Sequence, residues 1–142
     1  PSLVGSEMCI RDRVNAIHPR ATIAATASIG TNVTINPGAI IGAHAIIEDN
    51  VIINTGAIVE HENIIRNGAH IAPGVQLGGR VQVEERAFVG IGATVIQCLK
   101  IGKDSIIGAG AVVLRDIPDN VVAVGIPAKV IKKREEENHY EF

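Results

Sequence analysis

The stretch "INPGAIIGAHAIIEDNVIINTGAIV" (Ile35 to Val59) repeats itself every six residues. Ile35, Ile41, Ile47, Ile53 and Val59 mark the period. The count runs back through Ile29 and Ile23 to Ile17. It runs forward through Ile65, Ile71, Leu77, Val83, Val89, Val95, Ile101 and Ile107 to Val113, with no insertion. Two residues before each mark stands a mostly small residue, from Ala21 to Ala111. Gly or Asn often follows the mark, as at Gly42, Asn54, Gly78, Gly90 and Gly108.

Residues two apart on a strand face the same side, so the small and the aliphatic residue of each hexad both point inward. The Gly or Asn is expected to supply the backbone freedom of a corner. A short strand and a corner every six residues make a prism. Three sides close one coil of 18 residues, and identical positions then stack about 4.8 Å apart. A helix would need a period near 3.6, which this run does not show.

The composition agrees. The chain has 142 residues with no Trp, two Phe and one Tyr, which suits a narrow interior. A net charge of −2 argues against a nucleic-acid binder. No apolar run is long enough to span a membrane. Two cysteines, Cys9 and Cys98, give no disulfide framework, and a cytoplasmic setting fits. "PSLVGSEMCIRDR" (residues 1–13) shares no pattern with the rest and resembles a translated sequencing adapter. It holds the only methionine, Met8. We therefore expect an artefactual leader over 1–13, a prism domain over 14–118 and a C-terminal segment and tail over 119–142. The natural protein is expected to begin further upstream.

The uninterrupted hexads resemble those of the hexapeptide-repeat acyltransferases, which form left-handed parallel β-helices. The resemblance covers residues 17 to about 131 and implies that fold. "INTGAIVEHENIIRNGAHIAPG", followed by "VGIGATV" and "IIGAGAVV", is similar to the bacterial acetyltransferases of UDP-4-amino sugars and to related sialic acid O-acetyltransferases. The implied cosubstrate is acetyl-CoA, the acceptor a nucleotide-activated amino sugar, and the assembly a homotrimer with sites between prisms. The resemblance implies His61 as proton acceptor, Glu62 as its acidic partner and Asn54 near the reacting groups. It implies that His70, Ile91 and Ala109 contact acetyl-CoA, with Lys129, Lys132 and Lys133 meeting its phosphates as point charges. It also implies an N-terminal nucleotide-sugar-binding domain, which this chain lacks.

The period places some of these residues independently. His61 lies at a corner and His70 outward on a strand. Gly79 lies one coil after His61, where its N–H could meet an oxyanion beside a general base. Pro73, Ile91 and Ala109 are 18 apart and stack along one edge. Between Ala21 and Ala111, Asn63 is the only amide in the small inward column, and a broken local rule points to a functional site. Ile40, Ile46, Ile52, Ile58, Ile64, Phe88, Ile106 and Val112 face outward and imply a partner surface.

Three other functions compete with N-acetyl transfer. One is sugar O-acetylation. Another is a γ-type carbonic anhydrase, for which His44, His61 and His70 lack the close histidine pair of that family, so no metal is expected. The last is a solenoid without chemistry. The sequence does not choose the sugar.

Overall fold

In the computed structural model, residues 14–134 are described. The leader expected over 1–13 and the end of the tail, 135–142, lie outside them. The described residues are all-β and form a left-handed parallel β-helix. Two-residue strands recur every six residues from Ala16–Ile17 to Val112–Val113 with no register break. They stack into three sheets, one per prism face. The first sheet carries Ile52–Ile53, His70–Ile71 and Phe88–Val89. The second carries Ile58–Val59, Gln76–Leu77 and Thr94–Val95. The third carries Ile64–Ile65, Gln82–Val83 and Lys100–Ile101. Each strand pairs in parallel with the one 18 residues on.

The column of aliphatic marks fills the interior. Ile35, Ile41, Ile53, Val59, Ile65, Ile71 and Ile107 are almost wholly buried, and the residues two earlier, among them Ala39, Ala57 and Ala69, are buried with them. Each such isoleucine contributes about 1.5–3 kcal/mol by leaving water. The alanines keep the coils narrow, because a larger side chain there would overpack the column.

The corners differ from expectation in one respect. The glycines that directly follow the marks do not adopt positive φ. They are needed for space. A Cβ on Gly42 would lie 2.6 Å from the backbone nitrogen of His61, and one on Gly90 would lie 2.6 Å from the carbonyl oxygen of Ile107. The left-handed residue stands two places further on, as at Gly56 and Gly92, and also at Asn50, Glu62 and Arg80.

After Val113 the period ends. Ile117 makes one more parallel bridge with Ile101. Val121–Val124 then joins the first sheet beside Ile106–Ile107, and Lys129–Lys133 pairs with it in antiparallel fashion. Ser105, the one hydroxyl in the small inward column, anchors this turn. Its Oγ donates to the Pro118 carbonyl at 2.6 Å and accepts the Val121 N–H at 3.2 Å. Ile106, expected to face a partner, is instead buried within the chain at 5% exposure. Of the other outward residues, Ile52, Ile58, Ile64, Phe88 and Val112 are half-buried. Ile40 stacks on Ile58 and Ile46 on Ile64, and Ile40 and Ile46 are exposed.

Candidate active site

His61 and Glu62 sit on the corner between the second and third sheets. Glu62 has φ 58°, which turns its side chain back toward its neighbour. His61 Nδ1 lies 3.2 Å from Glu62 Oε1. Arg80, one coil on, reaches the same oxygen at 3.3 Å. The contact with His61, and after it the Arg80 charge, hold the Glu62 carboxyl below its ordinary range. An ionised carboxylate only accepts, so Nδ1 carries the proton of this contact, and in the neutral imidazole Nε2 is the acceptor.

Gly79 lies directly beneath the His61 ring. A Cβ at Gly79 would fall on Nε2 and Cε1 of the imidazole. Gly79 is not in the left-handed region, so the ring rather than the backbone demands glycine here. Its carbonyl accepts from Cys98 N–H at 3.0 Å, and among the described residues no hydrogen bond engages its own N–H. At Thr31, Asp49, Asn67 and Lys103, which hold the same corner position, a side-chain oxygen from another coil caps that N–H.

Asn63 lies beneath this corner, fully buried. Its Nδ2 donates to the carbonyls of Glu60 (2.9 Å) and Gly78 (2.8 Å), while Oδ1 has no hydrogen-bond partner. Such an orphan costs about 1–3 kcal/mol. The column holds a second amide that the sequence reading passed over. Asn15 donates to the Gly30 carbonyl at 2.9 Å, but its Oδ1 accepts the Val33 N–H at 2.8 Å. An inward amide is therefore first a corner clamp, and its presence alone does not mark a site.

The other expected residues occupy a different edge. Asn54, Ile91 and Ala109 lie on corners between the first and second sheets, and His70 lies on the first sheet beside them. The 73–91–109 stack is present: Gly92 N–H donates to the Pro73 carbonyl at 3.0 Å and Gly110 N–H to that of Ile91 at 2.8 Å. Ile91 is 61% exposed, a large apolar side chain facing solvent. Asn54 Oδ1 accepts from Asn36 Nδ2 and from Thr55 N–H, both at 2.8 Å. Its amide nitrogen is thereby turned to His70 Nε2, at 3.3 Å. That contact makes Nε2 the acceptor and leaves the His70 proton on Nδ1. Phe88 packs edge-on against the ring at 5.0 Å between centroids.

Burial pushes the His70 imidazole below the ordinary histidine range. The unfolded chain therefore binds a proton that the folded chain resists, and folding stability falls as pH drops through about 6.5. The depressed carboxyls Glu62 and Asp104 act only at lower pH, below their ordinary 4.5 and 3.8. The melting temperature is expected to fall between about pH 7 and 5.5 and to do so less in His70→Gln. Equal slopes for the two proteins would contradict this assignment.

Lys129 lines a cavity of about 420 Å³ with Leu114, Arg115, Pro127 and Ala128. Arg115 was not singled out from the sequence. It stands two residues past Val113, the last mark on the second sheet, as His61 stands two past Val59. Lys132 and Lys133 are exposed on the last strand. Within one chain, then, the expected residues form two sets. His61, Glu62 and Gly79 share the edge that leads to Arg115 and the Lys129 cavity. Asn54, His70, Ile91 and Ala109 share the next edge, across the second sheet. Among the described residues no group of His, Cys, Asp or Glu could hold a metal ion, and no helix is long and apolar enough to cross a membrane.

The repeat and its closure define the class: a hexapeptide β-solenoid. Solved structures similar to it include sugar N-acyltransferases. PerB from Caulobacter crescentus, in complex with CoA and GDP-perosamine, shares 44% identity over 91% of this chain, with TM-score 0.83. The acetyltransferase domain of PglB from Neisseria gonorrhoeae, also solved with acetyl coenzyme A, shares 33% identity over 92% of this chain, with TM-score 0.83. The chain spans 63% of the PerB chain and 64% of the PglB chain. AntD from Bacillus cereus, an N-acyltransferase, shares 19% identity over 93% of this chain and 89% of its own, with TM-score 0.79, a likeness of fold alone. No protein-family model and no curated protein matches the chain.

Proposed function

We propose that this chain is an acetyltransferase domain that moves the acetyl group of acetyl-CoA to the amino group of a nucleotide-activated sugar. The observation that carries the reading is the His61 imidazole, held at Nδ1 by a carboxylate and packed against Gly79, whose own N–H no hydrogen bond engages among the described residues. The likeness to PerB and PglB, solved with CoA and acetyl-CoA, supports the donor. GDP-perosamine in the PerB structure supports an amino sugar linked to a nucleoside diphosphate. It favours a GDP-linked acceptor over the UDP-linked one that the sequence motifs imply.

The chemistry follows from these groups. The sugar amine attacks the thioester carbon, and a carbon–nitrogen bond forms. His61 Nε2 takes the proton the nitrogen must lose. The carbonyl oxygen gains negative charge, and the Gly79 N–H, which no hydrogen bond engages among the described residues, would serve as its donor. The intermediate collapses with loss of the CoA thiolate, which recovers a proton from the imidazolium. The extended arm of CoA would lie along the exposed Pro73–Ile91–Ala109 edge, beside the His70 Nδ1–H. Arg115 and Lys129 would meet its phosphates. Because the two sets of residues occupy neighbouring edges, a complete site needs the edge of one prism to face the other edge of a second copy. The Ile40–Ile58 and Ile46–Ile64 ridges, with Ile40 and Ile46 exposed and Ile58 and Ile64 half-buried, offer surface for that contact, and a homotrimer would provide three such clefts.

Glu62→Gln tests the His61–Glu62 pair. The amide keeps an acceptor for Nδ1–H but loses the charge that steadies the imidazolium. The rate at saturating acetyl-CoA is expected to fall about tenfold, less than on removal of His61. An unchanged rate would assign Glu62 to Arg80 and solvent.

A further inference from the structure

We propose that Asn63 is a positioning residue that keeps the His61 ring seated on Gly79. This rests on the reading of His61 as proton acceptor. Lower corners on the same edge are closed by a backbone bond. Ala27 N–H donates to the Ala24 carbonyl at 3.0 Å, and Ala45 N–H to that of Gly42 at 3.3 Å. In the next two corners, which carry His61 and Gly79, neither Asn63 N–H nor Val81 N–H makes the equivalent bond. The Asn63 amide supplies both. Its two protons go to the Glu60 and Gly78 carbonyls, the residues immediately before His61 and Gly79. One side chain therefore ties together the two corners whose spacing sets the imidazole against the glycine.

The contrast with Asn15 separates this role from ordinary clamping. Asn15 makes the same link to a carbonyl 15 residues on, and both ends of its amide are satisfied. Asn63 leaves its buried Oδ1 unpaired, so it is the less favourable amide for the fold. Alanine or valine already fills this position one coil either side, at Ala45 and Val81. The column would accept either residue at position 63. What it would lose is the tie between the corners.

The test compares Asn63→Ala, Asn15→Ala and His61→Ala, with Asn63→Val as a second version that keeps more volume. Two readouts are taken. The backbone amide resonance of Gly79 senses the ring current of the imidazole. The kcat and the KM for acetyl-CoA are measured with GDP-perosamine as acceptor. Asn63→Ala is expected to move the Gly79 resonance toward its place in His61→Ala. It should lower kcat about tenfold or more through misplacement, with the acetyl-CoA KM held. Asn15→Ala should lower the melting temperature and change neither readout. A Gly79 resonance unmoved in both Asn63 variants would overturn the proposal, as would an unchanged kcat where His61→Ala is inactive. Activity retained in His61→Ala would instead remove the proton-acceptor reading, and the Gly79 resonance would still decide whether Asn63 holds the ring.

Discussion

His61→Ala is expected to lower acetyl transfer by about a hundredfold or more while assembly and melting temperature stay as they are. The histidine is fully on the surface side of its corner, with 55% of its side chain exposed, so no core volume is lost. What is lost is the only imidazole whose Nδ1 is held by an ionised carboxylate among the described residues. The other candidate, His70, has its Nε2 turned into Asn54 and is kept neutral by burial. Activity within a few-fold of the unmodified chain, at saturating acetyl-CoA, would remove His61 from the mechanism.

Gly79→Ala is expected to approach the same loss by a different route. The backbone there tolerates a side chain, but the added methyl group falls on the His61 ring. The imidazole must swing away from the place it holds against Gly79. A displacement of about an ångström is enough to cost on the order of a hundredfold in rate. The adjacent Gly78→Ala makes the contrast. Its methyl group would lie 2.7 Å from the backbone nitrogen of Gln97. Backbone cannot move aside, so that change should destabilise the coil by about 1–3 kcal/mol. Gly79→Ala should therefore melt like the unmodified chain and fail to turn over, whereas Gly78→Ala should melt early. If Gly79→Ala transfers acetyl normally, the ring does not work from the position seen above Gly79.

These two glycines also show how far the sequence could be read. The six-residue period gave three faces and the stacking of residues 18 apart, because a prism is built from local alternation repeated without error. It stacked His61 with Gly79 and Ile91 with Ala109, each pair one coil apart. It did not distinguish a glycine required by φ from one required by space, since both appear as Gly at a corner. The distinction depends on what the next coil places against the missing Cβ. Nor did it reveal that Asn15 repeats the Asn63 clamp. That comparison needs the hydrogen bonds of both amides.

The C-terminal turn was legible only as an end to the period. Without a repeat, nothing in "DIPDNVVAVGIPAKVIKK" states that Val121–Val124 returns to the first sheet, or that Ile106 becomes buried in the chain. Arg115 was legible in principle, two residues past the mark at Val113, but its meaning comes from the cavity it shares with Lys129. The division of the expected residues between two edges also follows from the period, and on the proposed function it calls for a second copy to complete the site.

The account stands most directly on the nature of the product. The chain is incubated with acetyl-CoA and a high concentration of GDP-perosamine, and the sugar nucleotide is recovered for mass spectrometry and treated with hydroxylamine. The account predicts a sugar nucleotide heavier by one acetyl group, formed in step with free CoA, and stable to hydroxylamine because the linkage is an amide. An acetyl group that hydroxylamine removes would mean transfer to oxygen, and an acceptor recovered unchanged while acetyl-CoA remains intact would contradict acetyl transfer to an amino sugar.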